Sequence, residues 1–244
     1  MAIRPYKSWR KSAPLPCTPL YSLISHIGIP KATLMHYYPV YLNLTERPTL
    51  VVGGGTIAEG KVLGLLESDA RVRLIAPEAT PALRELAANG KIDWAQRSYQ
   101  PGDLQGAALA ISATDDREVN KRVWDEARER GILVNVVDDP PYCDFIAPAI
   151  LRRGDITLAI STNGRMPALA AHLRRELERS FGVEYVELLE LTAPLREELA
   201  AKNLEYTVRQ MLWRKLFEET DIVGLLRRGE TERARSLARE VLGL

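Results

Sequence analysis

Three consecutive glycines, Gly53 to Gly55, sit in LVVGGGTIAEGK, between a short apolar run and a helical pattern. Gly53, Gly55 and Ala58 spell G-x-G-x-x-A, and few folds place such a loop between a strand and a helix. The first glycine suits a sharp turn. The second lets the backbone approach a pyrophosphate without a Cβ, and the small third residue lets helix and strand pack closely. The helix N-terminus then offers free N–H groups and partial positive charge to phosphates. A tight turn in an α/β fold is the competing reading. No Lys-Ser/Thr pair follows, so the loop is not of the Walker type.

The sequence around the loop alternates in type from Tyr37 to about Ile160. Strand-like TLVVGG, RVRLIAP, ALAISAT, ILVNVVDD and DITLAIST are separated by helical patterns. One of these helices has Thr80 as N-cap, Pro81 at its first position and Gly90 past its end. Another stops at Gly131. Strands joined by helices require crossovers, hence a mostly parallel sheet covered on both faces. Beyond Thr162 nearly everything is helical in pattern. The expected fold class is α/β: a Rossmann-like domain over 37–148, a segment over 149–182, and a small helical domain over 183–244.

Composition narrows the partners. With 33 Lys plus Arg against 32 Asp plus Glu, the net charge is +1, which gives no general attraction to nucleic acid or membranes. No apolar run approaches the ~20 residues of a membrane span. The cysteines, Cys17 and Cys143, form no CxxC pair, which fits a reducing cytoplasm. His26, His36 and His172 show no ligand spacing, so no metal site is expected. Residues 1–36 form a basic tail without Asp or Glu. It reads as a disordered extension, a targeting peptide, or a start misassigned ahead of Met35.

An acid near the end of the second strand would hold ribose hydroxyls. Glu78 lies twenty residues past Ala58, but behind Pro77. No basic residue follows it to receive a 2′-phosphate, which favours NAD over NADP. Ala113 and Thr114 end the strand-like run ALAISAT, and ligands collect at such carboxyl ends in parallel sheets. Asp115 and Asp116 read as helix capping. Asn135, Asp138, Asp139 and Asp144 cluster in VNVVDDPPYCDF, at the end of the strand-like run ILVNVVDD. A carboxylate there can take a proton as a hydride leaves; loop solvation explains the same acids equally well.

The ordered stretches VVGGGTIAEGK, SATDDREVN and VNVVDDPPYCDFIAPAILRRGDITLAISTNGRMPALA resemble the precorrin-2 dehydrogenase / sirohydrochlorin ferrochelatase family of siroheme synthesis, from about Val40 to Gly182. The resemblance implies an NAD domain, a dimerisation segment over 149–182 and a helical C-terminal domain. It implies NAD-dependent oxidation of precorrin-2 to sirohydrochlorin, in some members followed by ferrous iron insertion. It points to Thr56, Ile57, Pro77 and Glu78 as NAD contacts and to Asp138 as the essential carboxylate. It also implies a homodimer.

The substrate that the resemblance implies carries many carboxylates. Arg152, Arg153, Arg165, Arg174 and Arg175 are candidates to bind them, with Asn135 nearby; a solvated surface charge is the alternative for each arginine. Two departures stand out: Gly60 replaces an arginine, and Met166 replaces a serine placed to cap a helix. Some relatives continue into a methyltransferase domain. The chain leaves no room for one, so another protein is expected to supply precorrin-2. A non-catalytic NAD sensor with a helical effector region is the alternative from a different class, and an unrelated small-molecule dehydrogenase is a third reading.

Overall fold

The computed structural model describes residues 37–244. The basic segment over 1–36, with Cys17, His26 and His36, lies outside the described residues. Five strands form a parallel sheet: β1 (Pro48–Val52), β2 (Arg71–Ile75), β3 (Asp93–Ala95), β4 (Leu109–Ser112) and β5 (Leu133–Val136), in the order β3-β2-β1-β4-β5. Chain order reverses between β1 and β4. That is the switch point beside which doubly wound sheets bind ligands.

Side-chain alternation along the strands feeds two cores. Val51, Val72, Leu74, Leu109 and Ile111 face one way and pack on Ala58, Val62 and Leu65 of α1 (Thr56–Leu66) and Leu83 of α2 (Pro81–Ala88). Leu50, Val52, Ile75, Ala110, Val134 and Val136 face the other way, onto Val119, Val123 and Ala127 of α3 (Arg117–Arg130). The helix boundaries follow local chemistry. The Thr80 hydroxyl accepts the Leu83 N–H at 3.3 Å to start α2, and Gly131 ends α3 at a left-handed φ of 67°.

DITLAIST departs from the expected run of crossover strands. Its strand β7 (Ile156–Ile160) pairs antiparallel with β6 (Ala149–Arg153) in a separate two-stranded sheet. Only Gly154 and Asp155 separate the two strands, with Gly154 at φ 54°. That link is far too short for a crossover, so the pair must be a hairpin. β3 was not foreseen either. Only Asp93–Ala95 pair there, too few residues to show a period.

Helix α4 (Pro167–Ser180) packs on this hairpin. The remaining helices are α5 (Glu184–Ala201), α6 (Tyr206–Glu219), α7 (Ile222–Arg227) and α8 (Thr231–Leu242). They gather a third core from Leu188, Leu191, Leu195 and Leu199 against Leu216, Ile222, Leu226 and Leu242. The three- and four-residue spacing in α5 puts its leucines on one stripe.

Candidate active site at the carboxyl edge of the sheet

Four loops leave the carboxyl ends of β2, β1, β4 and β5, and hydrogen bonds tie each to its neighbour. The Gly53 N–H donates to Ile75 O at 2.9 Å, the Ala113 N–H to Val52 O at 2.7 Å, and the Val137 N–H to Ser112 O at 2.9 Å. The glycine loop, Pro77–Glu78, Ala113–Thr114 and Asp138 therefore line one rim.

Each glycine has a different job. Gly53 takes φ +112°, and a Cβ there would stand 2.2 Å from Ala113 O. Gly54 was not singled out in the sequence, although the unbroken run of three glycines was the available signal. A Cβ on it would stand 1.9 Å from Glu78 O, and its carbonyl accepts the Thr80 N–H at 3.0 Å. These two glycines let the loops after β4 and β2 close on the turn. Gly55 faces open space, with no atom within 4 Å of a built Cβ.

Gly55 is the N-cap of α1, and no side chain caps that helix. Open space before an uncapped N-terminus fits a pyrophosphate. Ala58 is fully buried in the sheet-facing core, as its packing role requires, whereas Thr56 and Ile57 are exposed. Pro77 and Glu78 are exposed on the rim. Behind them the Thr80 hydroxyl donates to Glu59 Oε2 at 2.6 Å, joining the start of α2 to the first turn of α1.

The segment after β4 is held by Asn120, whose role sequence reasoning missed. The fully buried Ser112 hydroxyl donates to Asn120 Oδ1 at 2.6 Å, and Asn120 Nδ2 donates to Thr114 O at 3.0 Å. Asn120 closes the SATDDREVN stretch, but one polar residue in an amphipathic helix gives no sign of which way it faces. Asp116 caps α3, accepting the Glu118 and Val119 N–H groups at 2.9 and 3.2 Å.

Asp138 is exposed and takes a left-handed φ of 61°. Aspartate tolerates that region better than most residues, but at a cost of about 1–3 kcal/mol. The Asp139 N–H donates to Val136 O at 3.2 Å, which makes Asp138 the third residue of a tight turn, the position at which type II turns take a positive φ. Asn135 is buried, and its amide donates to Phe145 O at 2.9 Å and to Cys143 Sγ at 3.3 Å. Burial, more than the nearby Asp139 and Asp144, pushes the Cys143 thiol up, so it stays protonated.

The arginines divide. Arg152 is paired with Glu67, and Arg153 with Glu178 at 3.3 Å, a carboxylate that also meets Arg174 at 3.0 Å. Arg165 and Arg175 are exposed, one in the loop before α4 and the other on α4 itself. Among the described residues no group of three potential ligands could hold a metal ion, and no helix is long and apolar enough to cross a membrane.

Two family models match the chain in tandem. Residues 40–149 match the one described as "Putative NAD(P)-binding", and residues 153–180 the one described as "Sirohaem biosynthesis protein central". Siroheme synthase 3 of Aeromonas hydrophila is 38% identical over 204 residues, 84% of this chain and 44% of that protein. Siroheme synthase of Methylobacillus flagellatus is 38% identical over 209 residues, 85% of this chain and 44% of that protein. The chain spans less than half the length of these curated relatives. A solved structure named "SirC, precorrin-2 dehydrogenase" superposes with a TM-score of 0.67 at 26% identity, covering 85% of this chain and 100% of that one.

Proposed function

We propose that this chain, which belongs to the family joining an NAD(P)-binding domain to the central segment of sirohaem biosynthesis proteins, oxidises precorrin-2 to sirohydrochlorin with NAD. The observation that carries the reading is a carboxylate, Asp138, on the same rim as a glycine cradle with room for a pyrophosphate. When bound, NAD supplies the acceptor for a hydride. The chain's part is to hold the dinucleotide and to take the proton. The backbone at Gly55–Ile57, at a helix start that no side chain caps, would hold the pyrophosphate. Glu78 stands where ribose hydroxyls would be accepted, and its charge disfavours a 2′-phosphate. Ala113 and Thr114, the latter held through its carbonyl by Asn120, lie on the rim between the cradle and Asp138. The Asp138 carboxylate accepts the proton released as the substrate carbon loses its hydride.

Arg165 and Arg175 are exposed and suited to bind substrate carboxylates. Arg152 and Arg153 would have to trade Glu67 and Glu178 for the substrate to do the same. Insertion of ferrous iron into sirohydrochlorin would place the same demand on Asp138, because the entering metal displaces pyrrole protons. A homodimer through the hairpin and α4 belongs to this reading. Ile150, Leu169 and Leu173 are 41%, 42% and 40% exposed there, an apolar surface a second copy would cover. The free Cys143 fits a reducing, cytoplasmic setting.

The test is turnover of precorrin-2 with NAD, read as NADH formation. Folded protein that forms none refutes the activity. Asp138→Ala is expected to lower kcat by about 10²–10⁴-fold while NAD affinity by calorimetry is unchanged. Wild-type turnover by that variant refutes the assigned base. Sirohydrochlorin with ferrous iron in the same cuvette tests insertion above the uncatalysed rate.

A further inference from the structure

The turn that presents Asp138 is not held by its own backbone alone. After it the chain crosses a short 3₁₀ turn (Pro140–Tyr142) and folds back antiparallel on β5, with a bridge between Asn135 and Cys143. The return is fastened at several points. The Asp144 N–H donates to Val134 O at 2.8 Å, and Asp144 Oδ2 accepts the Val134 N–H at 3.1 Å. Asn135 Nδ2 reaches Phe145 O at 2.9 Å. The Cys143 thiol lies inside the fold-back, with Sγ 3.0 Å from Val136 O and 3.3 Å from Asp139 O.

Those two carbonyls belong to the first and last residues of the turn whose third residue is Asp138. Asn135 donates to the same sulfur from behind, at 3.3 Å. The thiol thus has a donor on one side and acceptors at both ends of the turn.

The geometry points to Asn135 and Cys143 as positioning residues. Together they clamp the Val136–Asp139 turn, so that Asp138 keeps its left-handed backbone and its place on the rim. The inference rests on the role proposed for Asp138 and adds what sets that residue's orientation. A side chain in a disfavoured conformation persists only where its surroundings over-determine it, and the clamp supplies that determination. The thiol must be an S–H to do so, since a thiolate would repel both carbonyls. Burial keeps it protonated.

The test uses the full chain and two independent readouts. In ligand-free protein, amide exchange at Val137 and Asp139, whose N–H groups bond Ser112 O and Val136 O, is expected to quicken by about tenfold in Cys143→Ala and in Asn135→Ala, and to stay within about twofold in Cys143→Ser, which keeps a donor. In turnover, Cys143→Ala is expected to lose about tenfold in kcat with KM for NAD unchanged, and Cys143→Ser to recover most of it. Calorimetric NAD binding verifies that each variant is folded. Should Cys143→Ala not fold, Asn135→Ala and Cys143→Ser carry the exchange comparison.

Unchanged exchange in the alanine variants overturns the clamp. So does faster exchange with wild-type kcat, or a loss in kcat that the serine variant shares in full. Failure of the underlying reading looks different. There Asp138→Asn turns over at the wild-type rate, whatever the exchange shows.

Discussion

Helices α1 and α3 begin at the same edge of the same sheet, and they begin differently. Asp116 caps α3, its carboxylate accepting the Glu118 and Val119 N–H groups. Gly55 stands in the corresponding place on α1 and offers no side chain. A carboxylate at a helix N-terminus satisfies donors and complements the dipole. α3 has spent that capacity on its own stability. α1 leaves its first N–H groups without a side-chain cap, as the proposed pyrophosphate site requires. In that proposal α3 holds up the site and α1 takes part in it.

Breaking the contrast at its root should have the largest effect. Gly53→Ala puts a Cβ against Ala113 O at a backbone angle closed to alanine, and is expected to cost about 3 kcal/mol or more, read as a lowered denaturation midpoint. Next comes converting α1 into a copy of α3. Gly55→Asp meets open space, so the fold should survive while NAD affinity falls by about 100-fold, because the new carboxylate caps the helix and repels the pyrophosphate. Calorimetry with retained thermal stability would show this; unchanged affinity would mean the cradle lies elsewhere.

The reverse change, Asp116→Ala, should cost about 1 kcal/mol of stability and leave NAD affinity within about twofold. A large loss of affinity would instead give α3 a direct part in binding. The smallest effect is expected at α4. It starts at Met166 with no side-chain cap, so Met166→Ser should raise stability by less than about 1 kcal/mol.

The same contrast shows what could be read in advance. Thr80, Asp116 and Gly131 were legible as helix boundaries because caps act within a few residues of chain. The glycine loop was legible for the same reason. Asn120 and Cys143 were not. Their partners lie four to eight residues away across a strand or turn, and a polar residue there could as well face water. Glu126 is the sharpest case. It reads as one more surface acid of a charged helix, yet it is buried, and it accepts hydrogen bonds from the Tyr99 hydroxyl at 2.5 Å, the Gly102 N–H at 2.9 Å and Arg130 at 2.8 Å. Burial alone would raise its pKa, but those donors win and hold it below the usual carboxylate range.

By itself, then, the sequence determined the strand–helix alternation, the helix ends and the glycine loop between β1 and α1. These follow from period, capping and turn chemistry, which are local. Tertiary structure alone decided that β6 and β7 leave the parallel sheet as a hairpin, that Gly54 is needed for the loop after β2, and that Asn135 faces inward to a sulfur. Such outcomes depend on which distant backbone arrives beside a residue, and no window of neighbouring letters contains that information.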